Sequence, residues 1–124
     1  MSVLAGKRVL VVEDEAIIAF ALEDMLGDLG CTVVGPAMHL DEASTMAERE
    51  LLDAAILDVN INDARSYPIA ERLEQRGVPF IFATGYGEEG LSWAGRPAEL
   101  LPKPYRKEQV QAALLKLIGL ELTA

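Results

Sequence analysis

Short runs of continuous apolar residues punctuate this chain, and between them the apolar positions recur at helical spacing. Val9-Leu10-Val11-Val12, Ala54-Ala55-Ile56-Leu57, Phe80-Ile81-Phe82-Ala83 and Leu100-Leu101 are too short for helices. They also lack the alternation of a half-exposed strand, so they read as strands covered on both faces, as in a parallel sheet. The first strand spans Lys7 to Val12. From about Glu15 to Leu29 the period becomes helical, with Ile18, Leu22, Met25, Leu26 and Leu29 on one stripe and Gly30 placed to cap it. Thr32 to Gly35 reads as a second short strand, and Asp41 as the cap of a helix carrying Ala43, Met46 and Ala47. Ala54 to Leu57 is the third strand, followed by a loop from Val59 to Ala64. Ser66 or Asp63 starts the next helix, because Pro68 fits only a first turn. Gly77 ends that helix and Pro79 opens the fourth strand. Glu99 to Leu101 is a short fifth strand, and a last helix runs from about Lys107 to Leu117 with Val110, Ala113, Leu114, Leu117 and Ile118 apolar.

The alternation of strand and helix with short connections predicts a doubly wound, five-stranded parallel sheet with helices on both faces. One stretch fits poorly. The helix due between strands four and five must lie within Gly87 to Pro97, where Leu91, Trp93 and Ala94 are the apolar set. Gly87, Gly90 and Gly95 each weaken it by about 0.5–1 kcal/mol relative to alanine, which predicts a short, marginal helix.

Composition narrows the function. The 124 residues are expected to form one domain, 1–124, and with 51% hydrophobic content disorder is not the expectation. No output domain is expected. Eleven basic against 20 acidic residues leave a net charge of −9, which argues against binding nucleic acid or an anionic membrane. Cys31 is the only cysteine, so no internal disulfide can form and a cytoplasmic setting is expected. It reads as a small residue entering a strand. His39, the only histidine, reads as a loop residue before a helix.

The apolar runs end in chemically suitable residues. They lead into Glu13-Asp14, Asp58, Thr84 and Pro102-Lys103, and in a parallel sheet those ends share one edge, where open α/β sheets bind ligands. Each residue has an ordinary alternative: acids interact favourably with a helix N-terminus, an aspartate ends a strand, a threonine enters a turn, a lysine is solvated. As a set they point further. Carboxylates about 4 Å apart repel by about 4 kcal/mol per pair at an effective dielectric of about 20. Such a cluster calls for a cation or shifted pKa values, and all-oxygen ligands suit Mg²⁺ or Mn²⁺ over Zn²⁺. Asp58 is then a candidate nucleophile for phosphoryl transfer. Lys103 is stiffened by Pro102 and Pro104, across a bond to Pro104 open to the cis form, and can pair first with Asp58 and later with a phosphoryl oxygen. Thr84, before Gly85, can donate to the same group.

Glu13-Asp14, Asp58, Thr84 and Lys103, in this order at strand exits, resemble the receiver domain of bacterial two-component response regulators across essentially the whole chain. Phe82-Ala83-Thr84-Gly85-Tyr86 with Pro102-Lys103-Pro104-Tyr105 is similar to the FAT GUY group of alphaproteobacterial receivers, often single-domain proteins. The resemblance implies a flavodoxin-like (βα)5 fold with strand order 2-1-3-4-5. It implies that Asp58 accepts a phosphoryl group from a sensor histidine kinase or histidine phosphotransfer protein, with Mg²⁺ held by Glu13, Asp14, Asp58 and the backbone carbonyl of Asn60. Thr84 and Lys103 would hold the phosphoryl oxygens. Such a protein is a phosphoacceptor in signal transduction, with at most slow self-dephosphorylation, acting through a downstream protein partner as a monomer or phosphorylation-dependent dimer.

The chain departs from the family pattern in two places. Val59-Asn60-Ile61-Asn62 stands where Met-Pro commonly follows the acceptor, and Leu100 stands at the usual switch aromatic. Tyr86, Trp93 and Tyr105 are the candidates for a signalling surface, and Tyr86 or Tyr105 for the missing aromatic's role. Two other classes stay open on the residues alone. One is a phosphohydrolase using an aspartyl-phosphate, against which Asn60 stands where a second acid is needed. The other is an interaction module without phosphorylation.

Overall fold

The computed structural model describes residues 3–85, 92–93, 96–97 and 100–119. Five parallel strands form its central sheet: β1 (Arg8–Val12), β2 (Thr32–Ala37), β3 (Ala54–Asp58), β4 (Phe80–Thr84) and β5 (Leu100–Pro102). Their order across the sheet is β2-β1-β3-β4-β5, the expected 2-1-3-4-5. Four helices are present among the described residues: α1 (Ala16–Asp28), α2 (Leu40–Arg49), α3 (Tyr67–Gln75) and α4 (Lys107–Ile118).

The continuous apolar runs are explained by two separate cores. Successive strand side chains point to opposite faces. Val9, Val11, Ala54, Ile56, Ile81, Ala83 and Leu101 pack under α1 and α4 with Leu22, Leu26, Val110 and Leu114. Leu10, Val12, Ala55, Leu57 and Phe82 pack on the other face under α2 and α3 with Ala43, Ala47, Ile69 and Leu73. All five residues of β3 are buried, so an acid at its end is placed by a strand with no freedom to turn over.

The predicted α1 stripe is the buried one, with Leu22, Leu26 and Leu29 inside, while Ile17 and Phe20 remain exposed. β2 runs two residues further than the sequence pattern indicates and carries a register break against β1. Gly35 makes the break feasible, with φ +97 and no room for a side chain: a Cβ there would lie 2.7 Å from the backbone nitrogen of Ala37. α2 starts at Leu40, with His39 at its cap position in place of Asp41. Ser66 is the residue that precedes α3, and Pro68 sits in its first turn as predicted.

Two regions differ from the expected plan. The loop after β3 is a small hairpin in which Asn60–Ile61 pairs antiparallel with Ala64–Arg65. In the stretch expected to form a marginal helix, Ser92–Trp93 pairs antiparallel with Arg96–Pro97, so those four residues are extended. Pro97 has no N–H for a helical bond, and the flanking glycines disfavour helix by about 1 kcal/mol each. The remainder of 86–99 lies outside the described residues, Tyr86 included.

Candidate functional site

Strand register brings the predicted residues to one edge. Val12 pairs with Leu57, Asp58 with Ala83, and Thr84 with Pro102, so Glu13, Asp58, Thr84 and Lys103 follow one another across the C-terminal edge. Glu13, Asp14 and Asp58 each offer a carboxylate oxygen, and these oxygens lie within 4.8 Å of one another. They border an open cavity of about 640 Å³ whose lining includes Asp14, Asp58, Asn60, Gly85, Lys103 and Tyr105. Thr84 reaches this edge half-buried, but its neighbour Gly85 forms the cavity wall there.

Lys103 is the bridge. Its Nζ donates to Asp58 Oδ2 at 2.7 Å and lies 2.5 Å from Glu13 Oε1. The backbone fixes the lysine as well: its N–H donates to the Thr84 carbonyl at 2.9 Å, and the Lys103–Pro104 bond is cis. Asp58 is steadied at three points. Its Oδ1 accepts the Asn60 N–H at 3.0 Å, its Oδ2 accepts Lys103, and its backbone carbonyl accepts the Ser66 hydroxyl at 2.6 Å. The Ser66 hydroxyl is fully buried and spent on Asp58 in place of capping α3.

Charge in this pocket is held under tension. Burial pushes Glu13 up to about 7; the Lys103 contact pulls it back, and Asp58 adds to the rise. Burial works against the Lys103 ammonium, but its hydrogen bond to Asp58 and its close charge contact with Glu13 outweigh that and hold it above the usual lysine value. Tyr105 is raised too, first by burial and then by the two carboxylates. The contact of Glu13 Oε1 with Lys103 is close but poorly directed, so this buried oxygen has an ion-pair neighbour and no hydrogen bond. A buried carboxylate oxygen without a hydrogen bond, beside two further carboxylates, fits a hard divalent cation. The arrangement can hold such a cation and, next to it, present the Asp58 carboxylate to an electrophile.

Of the other residues singled out from the sequence, Tyr105 is buried against α4 at the cavity wall, not on an open surface. Its aromatic ring completes the core on that face, which removes it from solvent. Trp93 lies on the short antiparallel pair, and Tyr86 lies outside the described residues. Leu100 pairs with Phe82 at the sheet edge, where the Phe82 ring meets Tyr67 and Phe80 edge-on at 5.7 and 5.6 Å. Sequence reading passed over two supporting residues. Ser66 was legible only as a helix start, and Asn62, whose backbone N–H donates to Asp14 Oδ2 at 2.8 Å, only as a loop residue. The Asn62-Asp63 pair of turn formers between Ile61 and Ala64 was the available signal for the hairpin.

Known proteins with this arrangement are numerous. The response regulator receiver domain model matches residues 9–115. The phyllosphere-induced regulator PhyR of Methylorubrum extorquens is 32% identical over 121 residues, covering 94% of this chain and 45% of that protein. The chain spans about half the length of the curated relatives it first matches. Among solved structures, SdrG from Sphingomonas melonis superimposes with a TM-score of 0.81 at 40% identity, covering 95% of this chain and 99% of SdrG. The receiver domain of a sensor histidine kinase from Pseudomonas aeruginosa, with a magnesium ion coordinated in its active-site cleft, gives 0.79 at 27% identity, covering 93% and 99%. With its sheet order, its acidic edge and these matches, the chain belongs to the response regulator receiver domain family.

Proposed function

We propose that the chain is a Mg²⁺-dependent phosphoacceptor that takes a phosphoryl group on Asp58 and passes its state on through protein contacts. The donor is a phosphohistidine on a sensor histidine kinase or phosphotransfer protein. The observation that carries this reading is Lys103 bridging Asp58 and Glu13 beside a third carboxylate. A lysine held at 2.7 Å neutralises Asp58 at rest and is already in place to meet the charge of a phosphoryl group.

Glu13, Asp14 and Asp58, with the backbone carbonyl of Asn60, are the proposed ligands of Mg²⁺, for which Mn²⁺ can substitute. When bound, the cation neutralises the repulsion between the carboxylates and the incoming phosphate and supplies charge stabilisation during transfer. An Asp58 carboxylate oxygen attacks phosphorus as the phosphorus–nitrogen bond to the donor imidazole breaks, and the electron pair leaves with the imidazole. The Asn60 N–H and the Ser66 hydroxyl hold Asp58 in line. Lys103 turns from the carboxylate to a phosphoryl oxygen, and Thr84 donates its hydroxyl to another. Slow hydrolysis returns the free carboxylate, so the protein drains or relays phosphoryl groups and is not a turnover enzyme.

Ile17 lines the cavity and, like Phe20 on the same helix, is exposed, giving a protein donor an apolar rim beside Asp58. No helix among the described residues is long and apolar enough to cross a membrane, and the proposed site of action is the cytoplasm. With Mg²⁺ and acetyl phosphate, the intact mass is expected to rise by one phosphoryl group. Asp58→Asn is expected to abolish the gain, and an unmodified wild type under those conditions would overturn the assignment.

A further inference from the structure

Asn62 contacts two parts of the molecule at once. It stands in the two-residue turn of the hairpin after β3, where Asn62 and Asp63 have φ of 51° and 67°. Left-handed backbone at both positions is the geometry of the tight turns that best join twisted antiparallel strands. It aims the Asn62 N–H back toward the acidic cluster, where it donates to Asp14 Oδ2 at 2.8 Å. The side chain of the same residue points the other way. Its Nδ2 donates to the Met38 carbonyl at 3.1 Å and lies 3.3 Å from His39 Nδ1. An amide nitrogen carries two hydrogens, enough for both.

The far end of this tether is the start of α2. The Met38 N–H donates to Glu42 Oε1 at 3.0 Å, and the His39 carbonyl accepts the first helical N–H, that of Ala43, at 2.9 Å. At the hairpin, Ile61 is fully buried in the core, so the base is anchored while the turn rests on Asp14 and Met38. Beside these contacts an open cavity of about 210 Å³ is lined by His39, Leu40, Asp41, Ile61, Asn62 and Ala64. It leaves space for the turn to shift.

We propose that Asn62 is a positioning residue that ties the Asp14 carboxylate to the β2–α2 connection, so that loading the acidic site is felt at Met38 and His39. The proposal rests on reading the acidic cluster as a cation site. When Asp14 turns an oxygen to a cation, the lone pair taken by the Asn62 N–H is redirected. Because one residue holds both bonds, a displacement at Asp14 moves the side-chain amide at Met38 and His39. The route leaves the site on the α2 side of the sheet, away from the β4–β5 edge where Leu100 stands in place of an aromatic.

The test uses the single histidine as its reporter. Proton NMR follows the His39 ring signals, and ¹⁵N spectra follow the backbone amides of residues 38–41, at constant pH as Mg²⁺ is added to saturation. Calorimetry measures Mg²⁺ binding separately in each protein. Asn62→Gly keeps the left-handed backbone and the N–H to Asp14 while deleting the side-chain tether. Wild type is expected to shift at His39 and at residues 38–41 on Mg²⁺ binding, and Asn62→Gly to bind Mg²⁺ and lose that response. Equal shifts in both proteins would mean that the ion's field acts directly, and would overturn the proposal. Mg²⁺ binding without a His39 response in wild type would overturn the tether alone, whereas no Mg²⁺ binding would overturn the cation-site reading with it.

Discussion

Lys103 and Glu13 show how single residues here are defined by their neighbours. The Lys103 side chain is 12% exposed and Glu13 1%, so the pair sits where an unmatched charge is costly. Lys103→Met removes the counter-charge of two carboxylates at once. In the absence of Mg²⁺ the expected loss is about 3 kcal/mol, the scale for breaking one side of a buried pair. Urea unfolding at neutral pH measures it, and saturating Mg²⁺ is expected to return much of the loss, since a cation can take over the same neutralisation. No recovery would argue that the lysine acts through packing. At this scale the sequence was informative wherever a residue type ended an apolar run. Glu13, Asp14, Asp58, Thr84 and Lys103 all arrive on the predicted edge because strand ends in a parallel sheet share it. Ser66 and Asn62 were not readable as site residues, because their contacts depend on turn geometry that apolar spacing does not encode.

At the scale of elements, spacing located the strands and helices, but it was weak where few apolar residues were available. The five strands of the central sheet and the four helices among the described residues follow buried stripes, and their succession along the chain was legible from alternation, whereas the order across the sheet followed only from the family resemblance. The hairpin after β3 holds one buried side chain, Ile61, so its pairing leaves almost no periodic trace. The short pair Ser92–Trp93 with Arg96–Pro97 likewise has only two residues per strand. Turn chemistry holds the first hairpin together. Asp63 has φ +67, a region that a β-branched residue enters only with strain. Asp63→Val is therefore expected to destabilise the protein by about 1–2 kcal/mol, while Asp63→Gly is expected to be neutral or mildly stabilising. Thermal unfolding of both variants checks this. A valine variant as stable as wild type would show that the turn does not need left-handed backbone at that position.

For the whole molecule, the acidic edge sets how stability responds to pH. Glu13 is raised from 4.5 to about 7 in the folded protein, chiefly by burial. Between those values the folded chain keeps a proton that the unfolded chain has released. Stability from this group is therefore present below about 4.5 and falls as pH rises toward about 7, the reverse of a salt-bridged carboxylate with a lowered pKa. Lys103 does not oppose this trend, because its pKa is raised above an already high value and its contribution fades only at alkaline pH. The upper bound for Glu13 is on the order of 3 kcal/mol, at about 1.4 kcal/mol per unit. A divalent cation needs the ionised carboxylate, so its stabilisation grows across the window in which the apo protein weakens. Urea midpoints at about pH 5 and about pH 8, with and without Mg²⁺, separate the two. Without the ion, wild type is expected to lose more stability between these pH values than Glu13→Gln, which has no proton to release there. With the ion, the wild-type loss should shrink or reverse, while Glu13→Gln gains less. Parallel pH profiles for wild type and Glu13→Gln without Mg²⁺ would show that the proton is not held at Glu13. In that case Lys103 would already neutralise the edge, and the protein could recruit Mg²⁺ without first releasing a proton.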